Sequence, residues 1–160
     1  MRIAVLCTFF NCAASLASIG YFGIISSSDH NSEDWVYHTP EALYTFANRE
    51  LKLPRSSLLT SYSATLFDVE LMADGIAEAE SPLSLIYIAA PIVTGRNCSL
   101  VLADGELTFH SLFEMLEKAR KPTLLFIDAT SISQASHCEN SIKNSTPFNA
   151  LVYLSSSNRE

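Results

Sequence analysis

The sequence predicts an α/β domain, a three-layer sandwich in which helices cover both faces of a mostly parallel sheet. Three observations predict it. Residues 83–90 (LSLIYIAA), 123–128 (TLLFID) and 150–155 (ALVYLS) are nearly continuous apolar runs, as strands buried on both faces require. Amphipathic stretches that open on helix-capping residues lie between the earlier runs. The runs close on polar or turn-forming residues rather than continuing into longer helical patterns.

Taken in order, residues 21–27 (YFGIISS) form a short strand, followed by a polar loop at 28–34. Thr39-Pro40-Glu41 opens a helix, with Thr as N-cap, Pro at the first position and an acid in the first turn. Leu43, Phe46, Ala47 and Leu51 share one of its faces. Residues 57–62 are a second short strand. Thr65 and Asp68 then form a capping-box-like start, and Leu66, Val69, Ala73 and Ile76 line the following helix. After the 83–90 strand, residues 100–105 (LVLADG) read as a short strand turning at Asp-Gly. Thr108 caps a third helix whose Phe109, Leu112, Phe113 and Leu116 repeat at helical spacing. Lys118, Arg120 and Lys121 suit its C-terminal dipole, and Pro122 stops it. The last two strands follow, with His137 and Cys138 between them in a polar loop.

The amino-terminal stretch is set apart. Arg2 is followed by no charged residue until Asp29, and residues 3–10 read IAVLCTFF. That is the layout of a secretory signal peptide, with small residues at 13–17 and cleavage after Ala17 as the simplest processing site. The division is therefore a leader at 1–17 and one domain at 18–160, which places the protein outside the cell or in the periplasm. Two other readings stay open. Uncut, the apolar stretch approaches the roughly 20 residues of a membrane span and would anchor the chain; or residues 3–10 are a buried strand of a cytoplasmic protein.

Composition limits the partners. Among 160 residues, 10 Lys and Arg face 17 Asp and Glu, a net charge of -7. Phosphate backbones are held by Lys and Arg, so nucleic acid is not an expected partner. With 48% apolar residues the chain is too hydrophobic to be disordered. Its five glycines, at 20, 23, 75, 95 and 105, form no phosphate-binding loop after a strand, and no Gly-x-Ser-x-Gly elbow is present. No cofactor is expected. The four cysteines have no paired metal spacing, so no metal site is expected either. Cys98 and Cys138, the pair outside the leader, are read either as one disulfide or as two buried thiols. Asn97-Cys98-Ser99 and Asn144-Ser145-Thr146 match the N-glycosylation pattern.

In open parallel sheets, ligands and catalytic groups gather beyond the carboxyl ends of the strands. The residues to examine are therefore 26–29, 89–93, 128–133 and 155–159. From Thr39 onward these segments resemble the large-subunit region of caspase-like cysteine peptidases, the group of metacaspases and bacterial caspase-domain proteins. TPEALYTFANRELKLPRSSLLTSYSAT is similar to that family's first helix and second strand. LSLIYIAAP is similar to the strand that ends in Ser-Gly-His-Gly and carries the catalytic histidine. LVLADGELTFHSLFEML resembles the short hairpin and third helix, and LLFIDATSI the strand that ends in Asp-x-Cys-x-Ser-Gly and carries the nucleophile. LVYLSSSNRE resembles the strand that follows.

The resemblance implies a caspase-like sheet whose catalytic tokens are replaced. The histidine position falls on Pro91, its flanking glycines on Ala90 and Ile92, and the cysteine position on Thr130. Asp128 is retained; in metacaspase-like members the matching acid helps bind a basic P1 side chain. A cysteine peptidase needs a thiolate beside an imidazole, and neither stands at its family position. The expectation is a catalytically inactive domain with a binding or regulatory role, pairing through a sheet edge with a protein partner such as an active caspase-like chain. The alternative is a peptidase with a displaced nucleophile, Thr130 or Cys138, with His137 as base. His110, at a helix start, reads as a surface residue, and His30 and His38 flank Trp35 in a loop. A third reading is an unrelated flavodoxin-like or Rossmann-like module, which strand order would separate.

Overall fold

The computed structural model describes residues 19–27, 35–80, 82–94, 98–129 and 135–156. The elements run β1 (Ile19–Ser26), α1 (Trp35–Arg49), a 3-10 turn (Arg55–Ser57), β2 (Leu58–Ser61), α2 (Leu66–Glu78), β3 (Leu83–Ala90), β4 (Ile92–Thr94) and β5 (Cys98–Leu102). They continue with β6 (Gly105–Thr108), α3 (Phe109–Ala119), β7 (Thr123–Ala129), α4 (Ala135–Ser145) and β8 (Ala150–Ser156). The main sheet has five strands in the order β2-β1-β3-β7-β8, all paired in parallel. A second sheet, β4-β5-β6, is antiparallel and leaves the main sheet at Pro91. The order is not the Rossmann order 3-2-1-4-5-6; flavodoxin-like sheets share it.

Helices cover both faces, so the molecule is a three-layer α/β sandwich. Direction of winding assigns each helix to its face. Parallel crossovers are right-handed, so a step one way along the sheet and a step the other way put their helices on opposite sides. Only β1 to β2 steps outward one way, and among the described residues α1 alone lies on that face, with Leu43 and Ala47 against Phe22, Ile24, Leu85 and Tyr87. The steps to β3, β7 and β8 all go the other way. Their helices share the second face, where Val69, Met72, Ile76, Leu112, Phe113, Leu116 and Ile142 pack on Ile86, Ile88, Leu125 and Ile127.

Several local expectations hold in detail. Thr65 caps α2 in a full capping box: its side chain accepts from the Asp68 N–H, while Asp68 Oδ2 accepts from the Thr65 N–H at 2.8 Å. Thr108 caps α3, whose buried stripe is Phe109, Leu112, Phe113, Leu116 and Ala119. Arg120 ends that helix in the left-handed region, at φ 55°. Gly75 is required by contact: a Cβ there would lie 2.4 Å from the Tyr21 ring, so α2 sits directly on β1.

Four expectations are corrected. The first helix begins at Trp35, a turn before Thr39, and Pro40 lies inside it. At that position the proline, lacking an N–H, leaves the Val36 carbonyl without its i→i+4 partner, so Pro40 is not the helix start that its sequence context suggests. Leu66 is exposed, and Met72 takes its place in the α2 stripe. Residues 135–145 are a helix, not a polar loop, and so β8 runs parallel to β7. ASHCENSIKNS gives little periodicity because its described inward residues are only Cys138 and Ile142, one turn apart. The lone 100–105 strand is the centre of a three-stranded sheet. Residues 1–18, hence the leader at 1–17 and the IAVLCTFF run, lie outside the described residues, as do His30, Asn97 and Thr130.

Candidate functional site

Chain reversal places the switch point between β1, which connects one way, and β3, which connects the other. At the carboxyl end of β1, Ser26 and Ser27 are buried. The Ser27 N–H donates to Ala89 O at 2.8 Å, and Ser26 O accepts from the Ala64 N–H at 3.1 Å. These bonds seat the end of β1 against β3 and against the turn before α2.

The next strand end carries the first sequence-assigned position. Strands β3 and β7 are neighbours, and their ladder ends at Ala90↔Ala129. Pro91 follows β3 directly, while Thr130, the next residue in sequence after β7, lies outside the described residues. Pro91 is half-buried and its carbonyl accepts from the Val101 N–H at 2.9 Å. Small buried residues, Ala89 and Ala90, precede it, and β4 follows at once. Proline has neither a backbone N–H nor a side-chain base, so Pro91 cannot take a proton from a nucleophile.

Asp128 lies one residue inside the same edge, level with Ala89 on one side and Ser155 on the other. It is 8% exposed. Its Oδ2 accepts a hydrogen bond from the Tyr87 hydroxyl at 3.1 Å. Strand alternation puts Asp128, Tyr87 and Phe126 on the α1 face, so the carboxylate ends an aromatic row rather than projecting into the strand-end opening. Tyr87 was not singled out in the sequence; only the β3–β7 register shows that it reaches Asp128.

The proposed substitutes separate. Cys138 is fully buried in α4 and joined to Cys98 at the start of β5, with a Cα–Cα distance of 5.7 Å. This selects the disulfide over two buried thiols. A disulfide sulfur is no thiolate, so Cys138 could act as a nucleophile only after reduction. His137 precedes it in α4. Asn144 is exposed on the same helix. His110 is a surface residue, its Nε2 3.6 Å from Glu114.

Helix α2 also begins at the carboxyl edge, and its amino end would ordinarily attract a phosphate. Here the chain's own carboxylates fill that place. The Leu66 N–H donates to Asp104 Oδ1 and Oδ2 at 3.0 and 3.2 Å, and Asp68 occupies the Thr65 amide. Partial burial by itself would raise the Asp68 pKa, but hydrogen bonds from the Thr65 amide and from the Thr65 and Ser61 side chains outweigh it and hold the carboxyl below its usual range. Nearby, desolvation, with Glu41 and Tyr44 adding to it, pushes the Tyr62 hydroxyl up. Asp104, in the turn of the β5–β6 hairpin, was read only as a turn residue; nothing local signals its reach to a helix 38 positions away.

At the opposite, amino end of the sheet a groove of about 550 Å³ is lined by Ile19, Tyr21, Pro54, Gly75, Glu78 and Glu80 among others. Among the described residues no helix is long and apolar enough to cross a membrane, and no three His, Cys, Asp or Glu side chains cluster as a metal site. Compared with known protein families and with curated proteins, the chain matches none.

Proposed function

We propose that this chain is a caspase-like domain whose peptidase chemistry is silent, and that it acts by binding a protein partner, an active caspase-like chain among the candidates. The observation that carries the reading is the parallel pairing of β3 with β7 up to Ala90↔Ala129. The resemblance puts the family's histidine position at Pro91, directly after β3, and its cysteine position at Thr130, the next residue in sequence after β7 and outside the described residues. A proline at the histidine position supplies no general base. The β5–β6 hairpin ahead of α3, similar to the family's in sequence, supports the same reading. So does Asp128, which the resemblance assigns to binding a basic side chain and which is here engaged by Tyr87.

The Cys98–Cys138 bond supports a secreted or periplasmic location, because such bonds persist in oxidising compartments. Fluorogenic peptides with Arg, Lys or Asp at P1, assayed with and without reductant, test the proposal. No turnover above buffer is expected in either condition. Turnover abolished by Thr130→Ala, or turnover that appears on reduction and is abolished by Cys138→Ala, would establish a displaced nucleophile and overturn it.

A further inference from the structure

Helix α2 is buried on one side by Val69, Met72, Ala73 and Ile76. The turn of an α-helix then sets Phe67, Leu71, Asp74 and Glu78 in one row on the opposite side. All four are exposed, Phe67 by 68% and Leu71 by 47%. A surface helix ordinarily turns charged or polar residues outward along its whole length. This one does so only in its second half. Its first half turns a phenyl ring and a leucine to solvent, and Leu66, the preceding residue, is 40% exposed.

Charge along this stretch has one sign. Residues 56–95 contain Asp68, Glu70, Asp74, Glu78 and Glu80 and no Lys, Arg or His. Asp104 brings a further carboxylate to the Leu66 N–H. Lys121 reaches the far end of the helix, where its Nζ donates to the Ala79 carbonyl. Among the described residues, Asp74 and Glu78 take no ion-pair partner.

We infer that this outward row docks a basic amphipathic helix of another protein, whose two apolar side chains cover Phe67 and Leu71 while two Lys or Arg side chains meet Asp74 and Glu78. Phe67 and Leu71, four residues apart, form a ridge of the kind that packs into the groove of a facing helix. The order of the row, apolar and then acidic along about 16 Å of helix axis, selects the occupant. A second copy does not complement it: α2 against α2 in parallel sets acid on acid, and antiparallel it sets the acids on Phe67 and Leu71. An anionic bilayer surface attracts polybasic segments, not acidic ones. None of the segments outside the described residues holds more than one Lys or Arg, so this sequence supplies no such helix of its own. Two apolar anchors on adjacent turns make a small contact, so the complex is weak, reversible and further weakened by salt. It needs only the α2 surface and not the caspase-like resemblance, so peptidase turnover would leave it standing.

Fluorescence anisotropy of labelled helical peptides about 18 residues long, titrated with the full chain, reads the contact directly. One peptide carries Leu on two adjacent turns and Lys on the next two, made in both sequence orders; in the second Glu replaces Lys, and in the third Ser replaces Leu. The Leu–Lys peptide binds in the order that matches the docked direction, and neither control binds. Phe67→Ala with Leu71→Ala, and Asp74→Lys with Glu78→Lys, each weaken it by about tenfold or more. The charge-reversed chain takes up the Leu–Glu peptide instead. Circular dichroism confirms that both variants fold, as expected of exposed positions. A Leu–Lys peptide that binds no better than the Ser–Lys control, binding indifferent to either variant, or a charge-reversed chain that refuses the Leu–Glu peptide would overturn the inference. So would self-association that Phe67→Ala with Leu71→Ala abolishes in sedimentation, or capture of the chain by phosphatidylserine vesicles through the same two residues.

Discussion

The two faces of the main sheet are built from the same strands but finished differently. On one, α2, α3 and α4 lie side by side over Ile86, Ile88, Leu125 and Ile127, and a disulfide ties α4 to the second sheet. On the other, α1 covers β1 and β3, and the apolar surface continues past it onto Phe126, Leu151 and Tyr153. Winding accounts for the asymmetry. Three crossovers step toward β8 and one steps away, so among the described residues one face receives three helices and the other receives one. Closure of a face is thus a property of chain path.

Truncation on each face gives the largest test of that contrast. Phe113→Ala, inside the closed face, is expected to cost about 3–5 kcal/mol through lost burial and a cavity. Leu151→Ala at the open end should change stability by less than about 0.5 kcal/mol. Urea unfolding of the two variants checks both, and equal losses would mean that the open end is covered after all. The disulfide comes next. It closes a loop of sequence separation 40, so reduction, or Cys98→Ser with Cys138→Ser, should lower stability by about 2–4 kcal/mol. The loss belongs to the closed face. Hydrogen exchange should therefore quicken in α4 and β5 and leave α1 unchanged; exchange that quickens equally in α1 would break the comparison.

How much of this could be read beforehand follows the same division. Strands that are apolar throughout announce themselves, and 83–90, 123–128 and 150–155 fall within two residues of β3, β7 and β8. Helices with caps and a wide stripe do likewise, as Thr65 and Thr108 show. Helix α4 was illegible because its anchoring rests on a covalent bond and two inward residues rather than on periodicity. At the candidate site, Pro91 and Asp128 were legible as strand-end residues. Their partners were not, since Tyr87–Asp128 and Leu66–Asp104 depend on strand register and hairpin placement, which no local pattern encodes.

The close seating of α2 on β1 through Gly75 also has a consequence in alkaline solution. The Tyr21 ring against that glycine is buried, and desolvation pushes its hydroxyl up to about 12 from an ordinary 10.0. A folded-state pKa raised in this way means that the native protein binds the proton more tightly than the unfolded chain does. The contribution is complete below pH 10 and is lost as pH rises through 12. Phenolate absorbance from Tyr21 should therefore rise only together with unfolding. A Tyr21 that ionised near the ordinary 10.0 would mean that α2 does not stay on the sheet. The phenol thus acts as a built-in optical gauge of whether that helix is docked.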